Sequence, residues 1–169
     1  EMDFSKIGNF GGFTLSNKYK NSDCGTIKHK NKDLVNIVKL DDFLNLSKCD
    51  FMKIDVELME IDVLKGGRQF INKFKPILWL ENHQIYPNEL NDYLIRQDYI
   101  PYWCATRLFN PDNFNLDNHN VYNNMVTINT LAIHKSYKVN IDCKSLGMTK
   151  VVDKNTPAEL VIIRALDNN

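Results

Sequence analysis

The stretch CDFMKIDVELMEIDVLKGG, residues 49–67, ends a short apolar run at Ile54 and follows it at once with Asp55, Glu57, Glu60 and Asp62. A second polar group, Glu81, Asn82 and His83, follows the apolar run PILWL in the same manner. Carboxylates held a few ångströms apart support two kinds of chemistry. They bind a divalent cation through hard oxygen ligands, or they place a general base beside a bound substrate. Either use requires the two groups to meet. They meet if the two apolar runs are neighbouring parallel strands, because ligands in open α/β sheets bind at the carboxyl ends of the strands. A purely structural account competes with this. Acids in the first turn of a helix are stabilised by the helix dipole and by capping, at roughly 0.3–1 kcal/mol each. That account could cover Glu57, Glu60 and Asp62, most readily the last two, and a lone His83 is more often an ordinary loop residue. For Asp55 and Glu81 the pattern leaves both accounts open.

The elements around these residues alternate. VNIVKL (35–40) is a strand candidate and LDDFLNL (40–46) a short helix. DFMKID (50–55) is strand-like, with Lys53 interrupting its apolar character. Residues 57–74 carry a helical pattern whose apolar face is Ile61, Leu64, Phe70, Ile71 and Phe74, with a break expected near Gly66-Gly67. KPILWLENH (75–83) holds four consecutive apolar residues after Pro76, the pattern of a strand buried on both faces of a parallel sheet. PNELNDYLIRQ (87–97) reads as a helix with Pro87 at its first position. YIPYWCA (99–105) and TINTLAIHK (127–135) read as strands, separated by a polar, turn-rich loop over 109–124. The tail has two apolar pieces, YKVNI and AELVIIRAL. Strand–helix–strand alternation predicts an α/β fold with a largely parallel sheet, in a single domain over 1–169.

Composition narrows the function classes. Twenty-one basic residues balance 21 acidic ones, so no nucleic-acid footprint is expected. Cys24, Cys49, Cys104 and Cys143 are scattered without metal-ligand spacing, which argues against zinc and for reduced thiols. The N-terminal residues lack a signal-peptide pattern, and no apolar run reaches the roughly 18 residues of a membrane span. The expected location is cytoplasmic, with no membrane association.

The stretch FMKIDVELMEIDVLKGGRQFINKFKPILWLENH resembles the core signature of the FkbM-type methyltransferases. NFGGFTL (9–15) and VKLDDF (38–43) are similar to segments that precede that signature, and residues 102–135 resemble the end of one branch of the family. The resemblance covers roughly residues 8–135; the tail 136–169 has no counterpart. Two features depart from the family pattern. Leu58 stands where the family has Gly, a residue that permits a tight turn or close ligand approach. The glycine-rich turn and the acidic ribose-binding residue of the S-adenosylmethionine cradle have no match either, since GNFGG (8–12) follows no buried strand.

The resemblance thus implies the C-terminal half of a doubly wound, Rossmann-like methyltransferase sheet, supplying its fourth to seventh strands. Its expected activity is methyl transfer from S-adenosylmethionine to a hydroxyl of a small molecule or glycan. Asp55 and Glu57 would orient the acceptor or the amino end of the cofactor, and Glu81 or His83 would act as general base. In a metal-using variant, Asp55, Glu81 and Asn82 would hold magnesium. Half a sheet would expose an edge strand, which favours self-association unless the tail covers it. Two other readings stand beside this one: a non-catalytic interaction module derived from the same fold, and a metal-dependent glycosyltransferase using DVE as its acidic motif.

Overall fold

The computed structural model describes residues 36–82, 87–153, 155–158, 161–163 and 165. It therefore excludes NFGGFTL and GNFGG, and His83. In chain order, a single 3-10 turn (Leu40–Phe43) precedes β1 (Phe51–Ile54), α1 (Glu60–Gly66), α2 (Arg68–Phe74) and β2 (Ile77–Glu81). There follow α3 (Pro87–Arg96), β3 (Tyr99–Arg107), β4 (Val126–His134) and the two-residue β5 (Thr149–Lys150).

The sheet order is β1-β2-β4-β3-β5. Only β1 and β2 pair in parallel; β4 is antiparallel to both β2 and β3, and β5 is antiparallel to β3. The expectation of a largely parallel sheet is thus corrected to a mixed one. The cause lies in the connections. A parallel neighbour needs a crossover, which α1 and α2 supply between β1 and β2. The chain between β3 and β4 carries no helix, so β4 folds back on β3 and enters the gap beside β2.

Strand alternation sorts the sheet into two faces. Met52, Ile54, Leu78, Leu80, Ala132 and Tyr99 share one face by register, and Leu64, Ile71, Leu90 and Leu94 of the three helices pack against it. Among the described residues, α1–α3 therefore all lie on this one face, where a doubly wound sheet would have helices on both. Phe51 and Lys53 belong to the other face and are exposed. The Lys53 interruption is thus an alternating strand at the sheet edge, not a fully buried one.

The helical stretch 57–74 is divided at Gly67. A Cβ there would come within 2.5 Å of Leu40 Cδ2 and 2.9 Å of Leu40 Cβ, so the 3-10 turn presses against the break. The same turn caps α2: Asp41 Oδ1 accepts the Phe70 N–H at 2.8 Å. Residues 36–39 form no strand, and Ile37 is 89 % exposed.

The tail belongs to the same body. β5 extends the sheet beyond β3, and Val151, Ala158 and Val161 pack around the buried Trp103. Trp103 Nε1–H donates to the Thr156 carbonyl at 3.0 Å, and Arg107 Nε–H to that of Ala165 at 2.9 Å. YKVNI forms no strand, while residues 161–163 are helical. No described helix is long and apolar enough to cross a membrane.

Candidate functional site

Asp55 is the first residue beyond β1, and Glu81 is the last of β2. The parallel register pairs Ile54 with Leu80, which brings the next residue of each strand side by side. Glu57 joins them: Asp55, Glu57 and Glu81 each offer an oxygen within 4.8 Å of the others. Asp55 is exposed, and the other two are half-buried.

Glu57 reaches this position through an unusual turn. Glu57 has φ +46° and Leu58 has φ +74°, two successive residues in the left-handed region. Each such non-glycine residue costs of order 1–3 kcal/mol and persists only where the surroundings hold it. Leu58 is 5 % exposed, and that burial holds the turn. The φ of Leu58 also explains why glycine suits this position in the resembling family: without a Cβ the left-handed conformation carries no penalty.

Glu60 does a different job. It is fully buried, and its Oε1 accepts the Val56 N–H at 3.4 Å, closing the strand-to-helix turn. Asp62 is exposed in the first turn of α1. For both, the structural account suffices.

Asn82 faces away from the acids. It continues the ladder after Glu81, with its N–H donating to the Ile128 carbonyl at 3.1 Å, so its side chain turns to the helix-covered face. It is 1 % exposed there, and its Nδ2 donates to Thr130 Oγ1 at 2.7 Å, while Oδ1 has no partner among the described residues. The acidic group is therefore Asp55, Glu57 and Glu81, rather than Asp55, Glu81 and Asn82. His83 lies outside the described residues. Sequence reading passed over Asn129, which stands directly opposite Glu81 across the β2–β4 pair and is nearly buried. Its signal was the polar TINT segment inside an otherwise apolar strand.

Lys53 sets the local electrostatics. Its Nζ lies 2.7 Å from Asp55 Oδ2, and both side chains are largely exposed. The hydrogen bond and charge of Asp55, with a smaller contribution from Glu81, hold the Lys53 ammonium above its ordinary pKa. A cation entering the site would compete with this lysine.

The donors fit a hard cation. Carboxylate oxygens around Ca2+ lie at about 2.3–2.6 Å and can be up to about 5 Å apart across the ion; around Mg2+ at about 2.0–2.1 Å the limit is nearer 4 Å. Oxygens within 4.8 Å of one another are close enough for one divalent cation to reach all three residues.

The arrangement is that of an α/β protein with an acidic group at the carboxyl ends of a parallel strand pair. The family described as Methyltransferase FkbM domain matches residues 4–101, more than half of the chain, and the chain belongs to that family. The match includes β1, β2 and all three acids and ends within β3. No curated protein and no solved structure matches the chain.

Proposed function

We propose that this protein serves S-adenosylmethionine-dependent methyl transfer to a hydroxyl oxygen, with Asp55, Glu57 and Glu81 as the acceptor-side edge of the site. The observation that carries the reading is the convergence of these three acids beside the β1 and β2 ends, inside the segment that defines the family. When bound, the cofactor supplies an electrophilic methyl group. The protein's part is then mainly positioning, plus removal of one proton from the acceptor. Glu81 is the base in this scheme, and His83 is its alternative. Asp55 and Glu57 orient the acceptor or hold the amino end of the cofactor. A divalent ion held by Asp55, Glu57 and Glu81 would lower the pKa of a coordinated acceptor hydroxyl. The acceptor class is a hydroxylated small molecule or glycan.

The test uses the purified protein and Glu81→Gln. Mg2+ or Ca2+ at ten times its Kd should stabilise the wild type by about 1.4 kcal/mol, read as a shift in unfolding midpoint, and leave the variant unmoved. Transfer of labelled methyl to a panel of hydroxylated acceptors should fall at least a hundredfold in the variant, within the usual range for a lost general base. Equal turnover in the two proteins would remove Glu81 from the chemistry. Equal metal stabilisation would remove the ion.

A further inference from the structure

We infer that the helix layer carries a second binding site, a cleft for a small phosphorylated anion. It lies at the far end of α1 and α3 from the acids, where an open groove of about 440 Å3 is lined by Lys65, Arg68, Tyr93, Arg96 and Gln97. That volume is in the range of small-molecule sites, about 300–1,000 Å3. Three of the five lining residues are cations, and none is an acid.

Helix-end electrostatics explains part of this. Lys65 and Arg96 occupy the last turns of α1 and α3, where a cation complements the helix dipole. Arg68 is different. It opens α2, where the dipole disfavours a cation and no acid accompanies it in the first turn. Among the described residues neither Lys65 nor Arg68 has an ion-pair partner within 4 Å, whereas Arg96 is bridged to Asp92 at 2.7 Å. Asp41 also acts on Tyr93 through its charge, so with Asp92 it offsets part of the positive charge of Lys65, Arg68 and Arg96. The cleft thus keeps a surplus of positive charge in a protein whose formal charge is zero. Tyr93 forms a fixed wall, its hydroxyl donating to the Leu64 carbonyl at 3.3 Å. Two arginine forks and a lysine around a concavity match the tetrahedral oxygens of a phosphate or diphosphate better than a single carboxylate.

Inorganic pyrophosphate is the probe, titrated calorimetrically into the intact chain at low ionic strength. Saturable binding with a Kd of about 1 mM or tighter is expected, weakening as salt rises. Arg68→Gln and Arg96→Gln should each weaken it about tenfold, the usual loss for one charge-assisted hydrogen bond, in proteins that still unfold in one cooperative transition. Lys135→Gln, outside the cleft, should leave it as it was. Absence of saturation, affinity unchanged in both arginine variants, or capture by anionic phosphatidylglycerol vesicles that pyrophosphate does not displace would each overturn the proposal.

Discussion

Replacing Leu58 by alanine and, separately, by glycine should invert an ordinary stability ranking. Leu58 is 5 % exposed and has φ +74°. Truncating a buried leucine to alanine costs about 2–5 kcal/mol. At most positions a further change to glycine costs another 0.5–1 kcal/mol or so, through the freedom glycine has in the unfolded chain. Here the alanine keeps a left-handed backbone that costs an L-residue roughly 1–2 kcal/mol, and the glycine does not. The balance makes Leu58→Gly more stable than Leu58→Ala by about 0.5–1 kcal/mol, while both remain less stable than the wild type. Urea unfolding of the three proteins, with m-values compared to confirm a common transition, reads this difference as a shift in midpoint. A glycine variant less stable than the alanine one would mean that the turn carries no left-handed strain at Leu58. Because the side chain is buried, the glycine variant should also show no gain in methyl transfer. A gain would mean that Leu58 blocks the site instead of bracing it.

Two further outcomes follow from neighbouring features. Gly66 lies within α1, where an added Cβ would meet nothing inside 4 Å, so Gly66→Ala should stabilise by up to about 1 kcal/mol; Gly67→Ala, pressed on Leu40, should destabilise by about 1–3 kcal/mol, both read as unfolding midpoints. His134 packs edge-on against Tyr99 with ring centroids 5.2 Å apart, and burial, with Lys75 and Lys135 nearby, holds its pKa below the ordinary value despite Asp98. Unfolding therefore takes up a proton as pH drops below about 6.5, so stability is fully present above that pH and declines beneath it. His134→Gln should flatten that part of the pH–stability profile, and an unchanged slope would refute the assignment.

The convergence of Asp55 and Glu81 was legible because a strand–helix–strand unit joins parallel neighbours in most cases. The division of the helix was legible from the glycine pair, but its cause was not, since Leu40 lies far from Gly67 in sequence. VNIVKL misled because an apolar run indicates burial only where a neighbour exists to cover it, and among the described residues nothing covers Ile37, which is 89 % exposed. The mixed sheet was invisible to local periodicity. Nothing in TINTLAIHK records that it lies between β2 and β3 rather than at an edge. Asn82 falls outside the acidic group because the strand's period of two turns consecutive side chains to opposite faces, a division that the run ENH does not display. That the tail covers exposed sheet was one of the alternatives the sequence left open, but the contact of Val161 with Trp103 was not legible, since the two meet across a long stretch of chain.

The position of β4 has a consequence for how the protein comes to be made. β2 and β3 have no hydrogen bonds to each other; each waits for Val126–His134 to emerge from the ribosome and enter between them. Until then the growing chain holds β1, β2 and three helices with an apolar strand edge bare, the kind of intermediate that pairs with the wrong partner. Pairings between strands distant in sequence also slow folding. The segment that identifies the family stops at residue 101, inside β3 and before β4 begins. A piece cut at that boundary would carry all three acids and the family's signature, yet would lack the strand that joins its sheet.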